Sequence, residues 1–279
     1  MRAAAIQLAT GRSPAATIEA ARALLREAAE QGADVALLPE LFAAPFVQAE
    51  PDPEYFAHAE SLTGPSNTMA QEMSAELGIT VVSSVFEALE VPGTYANTAC
   101  TFDRGTMVDV YRKSHLPFSN GFPEKYYFQP GSEAPHGVDT AAGRIGTIIC
   151  YERHFPELGR AVALDGATLL CIPVACASAP MLDVFQLELR AQAVANGMYL
   201  VCANRSGTEG TKQYFGTSAV YDPNGQAVAQ VESGDGVAVA DVDPETVART
   251  RRSRPFLRDR RPVLYGALSH DAPGPAISS

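Results

Sequence analysis

The chain has 279 residues, of which 46% are hydrophobic and 19% are charged. This composition can fill a folded core and excludes a disordered or fibrous chain. The 32 acidic and 21 basic residues give a formal net charge of −11. Such a balance argues against a general nucleic-acid binder, because those proteins present a basic face to the phosphates.

The sequence shows no sign of a signal peptide or a membrane span. The apolar run after Met1 is interrupted at Gln7, too early for the core of a signal peptide. No segment approaches the roughly 18 consecutive apolar residues that cross a bilayer. The five cysteines form an odd set without a C-x-x-C spacing, which favours reduced thiols over a disulfide framework. We therefore expect a cytoplasmic protein that does not bind membranes.

Strand and helix signals alternate along the first half of the chain. Ser13-Pro14 is typical of the N-cap and first turn of a helix, and Gly32 is typical of its end. Asp103-Arg104-Gly105 separates two strand-like runs, which predicts a hairpin between Tyr95 and Tyr111. The other predicted elements are strands over 2–8, 34–38 and 79–86 and a helix over 66–77.

The second half begins with a predicted loop over 114–142 that is rich in proline, glycine and aromatic residues. A loop of this length in a compact domain is usually functional. The predicted elements that follow are strands over 144–150, 167–172, 199–203, 215–221 and 236–242, helices over 155–164 and 182–196, a turn at 222–225 and an irregular tail after Pro255. Because hairpins and β-α-β crossovers both occur, we expect mixed sheets covered by helices.

Two predicted strands end in a charged side chain. Glu40 follows the strand at 34–38 between leucine and phenylalanine, where loss of hydration would make its carboxylate a stronger base. Lys113 lies at the exit of the hairpin, where it would supply positive charge to a developing oxyanion. The alternatives are a glutamate and a lysine that simply face water.

Cys150 ends a third predicted strand, a few residues before Pro156 opens a helix. A thiol in such an elbow is close to main-chain N–H groups and to the positive end of a helix, which favour the thiolate. The amide that follows, that of Tyr151, is placed to donate to an oxyanion. A papain-like pair of Cys150 with His115 or His154 lacks its signature. The other four cysteines are expected to be buried structural residues.

Taken together, the motifs resemble those of the nitrilase superfamily of carbon–nitrogen hydrolases along the whole chain. Three of them surround Glu40, Lys113 and Cys150, and the others follow in the superfamily's order and spacing. The matching stretches are Pro39-Glu40, Arg112-Lys113 to Pro117, Phe122 to Phe128 with Pro130-Gly131, Ile149-Cys150-Tyr151 to Pro156-Glu157, Arg190 to Ala193 with Asn196, Ala203-Asn204-Arg205, Phe215 to Ser218, and Arg260-Arg261-Pro262 with Tyr265.

The resemblance implies an architecture. Members of the superfamily form a four-layer α-β-β-α sandwich, an α/β fold in which two mixed sheets pack face to face with helices outside. We therefore expect a single carbon–nitrogen hydrolase domain over 1–279. Members associate through helical faces and C-terminal segments, so we also expect a homodimer or a larger homo-oligomer. The tail from about residue 255 would contribute to those contacts.

The resemblance also implies a mechanism without a metal or a cofactor. Cys150 attacks the substrate carbon, and Glu40 takes the thiol proton and later activates water. Lys113 and the main-chain amide of Tyr151 stabilise the oxyanion. Glu124 orients Lys113 or helps to seat the substrate, and Tyr127 in the same segment is a predicted substrate contact.

The residues after the cysteine bear on the substrate. The planar fork of an arginine matches a carboxylate, and in similar branches an arginine at the position of Arg153 holds the substrate carboxylate. The pair Arg153-His154 resembles that of β-ureidopropionases, so both are predicted substrate contacts. The alternative is that Arg153 only pairs with Glu152 or Glu157.

The favoured substrate is therefore a small amide or ureido compound with a carboxylate, above all N-carbamoyl-β-alanine. The nearest alternative is an amidase for aliphatic or dicarboxylate monoamides, and a nitrilase is a further one. A cationic N-carbamoylputrescine is less favoured, because it would prefer an acidic residue at Arg153. A non-catalytic binding member of the fold is the alternative from another functional class.

Overall fold

Two β-sheets pack face to face in the computed structural model, which describes residues 1–45, 51–118, 122–177 and 179–270. The strands are β1 (Arg2–Ala9), β2 (Val35–Leu37), β3 (Thr80–Ala88), β4 (Tyr95–Asp103), β5 (Thr106–Arg112), β6 (Gly137–Thr140), β7 (Gly143–Thr147), β8 (Leu169–Pro173), β9 (Tyr199–Ala203), β10 (Arg205–Glu209), β11 (Lys212–Phe215), β12 (Ala219–Tyr221), β13 (Ala227–Gln230) and β14 (Gly236–Asp241). The helices are α1 (Pro14–Glu30), α2 (Pro65–Leu77), α3 (Glu124–Tyr127), α4 (Pro156–Leu164), α5 (Leu182–Asn196) and α6 (Pro244–Ser253).

Both sheets are mixed. The first has the strand order β11-β10-β1-β2-β3-β4-β5, with β14 also paired to β1. The second has the order β13-β12-β9-β8-β7-β6. At the centre of each sheet the strands run parallel, namely β1, β2 and β3 in one and β7, β8 and β9 in the other. The carboxyl ends of neighbouring parallel strands share one edge of their sheet, which is where ligand sites form in α/β proteins.

Apolar side chains fill three layers of contact. Helices α1 and α2 cover the outer face of the first sheet through residues such as Leu25 and Met69. Helices α4 and α5 cover the outer face of the second sheet, and Phe185 is fully buried there. Between the sheets, Leu37 and Leu169 belong to a single buried cluster. The predicted α-β-β-α sandwich is therefore confirmed.

Local signals placed several elements correctly. Ser13 caps α1, since its side chain accepts a hydrogen bond from the amide of Ala16. Gly32 follows that helix with a φ of 80°, a conformation that favours glycine. The predicted hairpin is formed by β4 and β5, and Arg104 and Gly105 both have positive φ at its turn. Within the described residues, no helix is long and apolar enough to cross a membrane.

Several predicted boundaries were wrong. The strand predicted over 144–150 ends at Thr147, so Cys150 follows the strand and does not end it. The loop predicted over 114–142 contains α3 and β6, although its residues 119–121 lie outside the described ones. The strand predicted over 215–221 is two strands, because Gly216 and Thr217 have φ of 68° and 59° and turn the chain from one sheet to the other. The turn at 222–225 therefore joins β12 to β13 and not to β14.

Candidate active site

The three predicted reactive residues follow strands of both sheets. Glu40 comes shortly after β2, Lys113 directly after β5, and Cys150 shortly after β7. The Nζ atom of Lys113 is 2.7 Å from Oε1 of Glu40 and 2.7 Å from Oε2 of Glu124. Lys113 and both glutamates are buried. The fold thus gathers three charged groups, far apart in sequence, into one buried cluster.

Lys113 is held between two carboxylates. Its ammonium also lies 2.9 Å from Oε1 of Glu124, so that glutamate contacts it with both oxygens. Burial opposes the charged form of the lysine, but attraction to Glu124 and Glu40 outweighs it and raises the pKa of Lys113 above its ordinary value. Lys113 is therefore a permanent positive charge in a site that excludes water, where it acts on a developing negative charge most strongly.

The two carboxylate oxygens of Glu40 differ in their hydrogen bonding. Its Oε1 accepts hydrogen bonds from Lys113 and, at 2.7 Å, from Nδ2 of Asn97. Its Oε2 is buried and has no hydrogen-bond partner among the described residues. A buried carboxylate oxygen without a donor is costly in free energy. Such an oxygen is well suited to accept a proton from a reacting group.

A buried arginine holds the chain around Glu40. The Arg205 guanidinium donates to the carbonyl oxygen of Glu40 at 3.1 Å and to those of Leu41 and Ala44 at 2.5 and 2.8 Å. Leu41 has a φ of 48°, unusual for a branched side chain, and its amide donates to Oγ of Ser84. These contacts fix the loop that carries Glu40 in a conformation that its sequence alone disfavours.

Glu124 lies on the short helix α3. Burial raises its pKa to about 7, although Lys113 acts in the opposite direction. Its two contacts with Lys113 agree with the predicted orienting role.

Cys150 begins a 3₁₀ turn that runs from Cys150 to His154. Its φ is 46°, so the sulfur is presented from a sharp bend. Burial and the nearby Glu40 raise the pKa of the Cys150 thiol well above its ordinary value, although Lys113 and Arg153 act in the opposite direction. The sequence predicted a thiolate favoured by main-chain N–H groups and a helix N-terminus, which was wrong because burial outweighs these local effects. The resting group is the thiol, so attack needs a base.

Tyr151 is the second residue of that turn. The first N–H groups of a helical turn have no partner within it, so the Tyr151 amide stays available next to the sulfur. Its ring packs edge-on against Phe155, with 5.5 Å between centroids. The predicted oxyanion contact through the main chain is therefore compatible with the geometry.

Glu152 ties the cysteine turn to the lysine segment, a role that the sequence did not suggest. Its buried carboxylate accepts from the Ile149 amide at 2.7 Å, the Ser114 amide at 2.8 Å and the Tyr111 hydroxyl at 2.7 Å. Burial raises the pKa of Glu152, but hydrogen bonds from His115, Ser114 and Ile149 outweigh it and leave the pKa below its ordinary value.

Arg153 lies beside the sulfur. Its Nη1 is 3.1 Å from the carbonyl oxygen of Cys150 and 4.0 Å from its Sγ, and its Nη2 is 3.8 Å from Sγ of Cys176. Its Nε is 2.9 Å from Oε2 of Glu188, on α5. The predicted alternative partners, Glu152 and Glu157, were therefore wrong. Besides the carbonyl oxygen of Cys150, the terminal nitrogens contact two sulfurs, which are weak acceptors.

Two residues predicted to contact the substrate, His154 and Tyr127, contact other groups of the protein in the structure. Nδ1 of His154 is 2.5 Å from Oε1 of Glu188, and the ring lines a surface groove of about 820 Å³ between α4, α5 and the C-terminal segment. The hydroxyl of Tyr127 is 2.7 Å from the main-chain nitrogen of Asp52, and its ring packs against Tyr55 and Phe56. Both contacts with substrate stay predictions.

Sequence reasoning missed four residues that shape the site: Asn97, Glu152, Glu188 and Arg205. Each acts through a partner far away in the chain or on another element, so no local spacing marks it. Arg205 was noted as part of a motif, and only the fold shows that it holds the Glu40 loop. Among the residues that the structure describes, no three His, Cys, Asp or Glu side chains form a group suited to a metal ion.

Comparison with known proteins agrees with this geometry. The family model for "Carbon-nitrogen hydrolase" matches residues 2–252. The chain belongs to the carbon–nitrogen hydrolase family. It is thus a member of the nitrilase superfamily, whose enzymes hydrolyse amides, and the resemblance seen in the sequence is confirmed.

The similar proteins include hydrolases of several named activities. An N-carbamoylputrescine amidase of Arabidopsis thaliana is 34% identical over 281 residues, which cover 94% of this chain and 93% of the relative. A citrullinase of Francisella tularensis is 31% identical over 280 residues, which cover 96% and 98%. The crystal structure of a carbon–nitrogen hydrolase from Helicobacter pylori G27 superposes with a TM-score of 0.92 at 29% identity, over 97% of this chain and 98% of that one.

Proposed function

We propose that this carbon–nitrogen hydrolase acts on the ureido group of a small N-carbamoyl compound, with Cys150 as its nucleophile. The observation that carries the proposal is the buried cluster in which Lys113 bridges Glu40 and Glu124, while Oε2 of Glu40 has no hydrogen-bond partner among the described residues. A permanent cation, an open carboxylate oxygen and a nearby thiol are the three groups that acyl transfer to sulfur requires.

In the first half-reaction, Oε2 of Glu40 takes the thiol proton as the sulfur forms a bond to the ureido carbon. The electron pair of the C=O double bond moves to oxygen, where Lys113 and the Tyr151 amide stabilise the negative charge. The oxyanion then collapses and the C–N bond breaks. Glu40 returns its proton to the departing nitrogen, so ammonia leaves and the remaining carbamoyl group stays on Cys150.

In the second half-reaction, Glu40 takes a proton from water as the water oxygen attacks the carbamoyl carbon. The tetrahedral species collapses with cleavage of the C–S bond, and the proton returns to the sulfur of Cys150. The product is a carbamic acid, which decomposes to an amine and carbon dioxide. These steps use one carboxylate twice as base and twice as acid, which fits Oε2 of Glu40, an oxygen without a hydrogen-bond partner among the described residues.

The favoured substrate carries a carboxylate near the ureido group, as N-carbamoyl-β-alanine does. Nη1 of Arg153 is 4.0 Å from the sulfur, so a carboxylate bound there lies only a short chain away from the carbon under attack. Burial opposes the charge of Arg153, but interactions with Cys150, Cys176 and Glu188 raise its pKa further. The guanidinium is therefore always charged and is suited to a carboxylate.

A second candidate is a ureido substrate with a distal cationic group, such as N-carbamoylputrescine. Glu188 lies 2.9 Å from Arg153 and offsets its charge, so the sequence argument against a cationic substrate loses part of its force. The similar N-carbamoylputrescine amidase and citrullinase point the same way. Both candidate substrates share the ureido group. Arg153 would contact the carboxylate of the first, and Glu188 would contact the cationic group of the second.

The test is release of ammonia from a panel of substrates by the purified chain. The panel contains N-carbamoyl-β-alanine, N-carbamoyl-D- and L-amino acids, N-carbamoylputrescine, citrulline, ω-amides and aliphatic nitriles. We expect ureido compounds to have the highest kcat/KM, with the carboxylates first, and Cys150→Ala to abolish turnover. A preference for ω-amides or nitriles would contradict the ureido proposal. A preference for N-carbamoylputrescine would contradict the carboxylate substrate and support the cationic one.

We further propose that the chain self-associates and works in the cytoplasm. Large apolar side chains are exposed along the C-terminal segment, with Val263 84% and Leu268 67% exposed. All five cysteines are free thiols, as a reducing compartment permits. Light scattering at several concentrations tests the association, and a monomer at all of them would contradict it.

A further inference from the structure

A second buried lysine lies near the carboxylates of the candidate site. Lys212 begins β11, where it pairs with Glu209 of β10, and its side chain is only 9% exposed. Lysine is rarely buried to this degree unless a specific contact requires it. Neither the motifs nor the proposed reaction assigns it a role.

The ammonium of Lys212 lies over an aromatic ring. Its Nζ is 4.5 Å from the centroid of the Phe122 ring, within the range of a cation–π contact, which strengthens when both groups are desolvated. Phe122 comes two residues before Glu124, so the contact joins the edge strand of the first sheet to the segment that carries this glutamate. The one-turn helix that follows has no side-chain cap hydrogen bond at Pro123, so the contact between Lys212 and Phe122 adds support at its N-terminal end.

The charges around Lys212 connect it to the same site. Burial lowers the pKa of Lys212 to about 8, the carboxylates of Glu209, Glu124 and Glu40 act in the opposite direction, and Arg205 adds to the lowering. These groups face it from β10, α3 and the loop after β2. Its ammonium therefore offsets the negative charge of three carboxylates, those of Glu209, Glu124 and Glu40.

We propose that Lys212 is a positioning residue for the proposed hydrolysis: its ammonium holds the Phe122 ring and thereby fixes Glu124 against Lys113. The proposal rests on the proposed function. When Lys212 loses its proton, the cation–π contact is lost and Phe122 is no longer held, so Glu124 no longer fixes the orientation of Lys113.

The test compares the pH dependence of kcat for the wild-type chain with that of Lys212→Arg and Lys212→Met, on the best substrate of the panel. We expect the wild-type rate to fall above pH of about 8. Lys212→Arg keeps its charge and should move this fall upward by about one pH unit or more. Lys212→Met should lower kcat about 30-fold, the size of a desolvated cation–π contact, and remove the fall near pH 8.

Matched variants separate this role from a general effect on folding. Phe122→Leu should cost as much as Lys212→Met, and the double variant should cost no more than either, because both remove one contact. Lys125→Met, on the exposed side of the same segment, should leave kcat and its pH profile unchanged. Lys212→Met with wild-type kcat and pH profile, or additive losses in the double variant, would overturn the proposal.

Different results would contradict the proposed function and the positioning role of Lys212. If the wild-type chain hydrolyses none of the ureido compounds, the proposed function is wrong, and the variants are then compared on the amide or nitrile that it does hydrolyse. Alkylation of Cys150 by iodoacetamide across the same pH range gives a second readout without substrate. A Lys212→Arg profile identical to that of the wild type in both readouts would overturn the positioning role.

Discussion

Replacing Glu152 by glutamine should destabilise the protein strongly, although the two side chains have nearly the same shape. The carboxylate is fully buried and accepts from five donors. They are the main-chain amides of Ile149, Ser114 and His115 and the hydroxyls of Tyr111 and Ser114. A glutamine has only one acceptor oxygen. If that oxygen keeps Ser114 and Tyr111, its NH₂ group faces the Ile149 amide, donor against donor.

The size of the effect follows from these contacts. An unsatisfied buried donor costs about 1–3 kcal/mol, and each hydrogen bond to a charged acceptor loses about 1 kcal/mol when the acceptor becomes neutral. With one orphaned amide and four weakened bonds, Glu152→Gln should lower the free energy of unfolding by about 5–7 kcal/mol. For a chain of this length, that is a fall in Tm of roughly 10–28 °C.

The effect should depend on pH with a defined sign. The pKa of Glu152 is lower in the folded chain than its ordinary value, so the ionised carboxylate stabilises the fold at any pH above that ordinary value. This stability is lost as pH falls through the folded pKa. The difference in Tm between wild type and Glu152→Gln should therefore be largest at neutral pH and shrink towards acid.

Thermal unfolding by calorimetry or circular dichroism measures both effects. Glu157→Gln is the matched control, since Glu157 is exposed on α4, and it should change the stability by less than about 0.5 kcal/mol. A Tm of Glu152→Gln within about 2 °C of the wild type at neutral pH would refute the reasoning. So would a difference that grows as pH falls.

Two further predictions concern arginines. Arg153→Ala should lower kcat/KM for N-carbamoyl-β-alanine about 100-fold, because two charged hydrogen bonds of about 1.5 kcal/mol each are lost. The kcat/KM for a neutral amide should fall far less. Equal losses on both substrates would argue against a carboxylate contact. Arg205→Met removes the guanidinium that donates to the carbonyls of Glu40, Leu41 and Ala44, so both Tm and kcat should fall. A wild-type kcat at reduced Tm would show that the loop does not need this support.

The sequence predicted the reactive positions well because strand ends are encoded locally. The apolar runs before Glu40 and Cys150 are long enough to be read as buried strands, and a charged or thiol side chain directly after such a run is conspicuous. The structure confirms that β2, β5 and β7 precede Glu40, Lys113 and Cys150. Both helices flanking these strands, α2 and α5, were also predicted close to their observed ends.

The partners of these residues were not predictable in the same way. Asn97 reaches Glu40 across strands, and Glu188 reaches Arg153 across two elements. Such pairs are set by the packing of the two sheets and their helices, which leaves no periodic trace in the chain. The chemical state of Cys150 was also misjudged, because burial, which outweighs local helix effects, is visible only once the fold is known.

The most direct test of the proposed mechanism is the mass of the enzyme quenched by acid during turnover of its best ureido substrate. We expect a population whose mass is higher by that of the substrate less ammonia, with the added mass on the peptide that contains Cys150. Cys150→Ala should show neither the adduct nor turnover. Turnover by Cys150→Ala at the wild-type rate, or an adduct on a different residue, would contradict the assignment of Cys150 as the nucleophile.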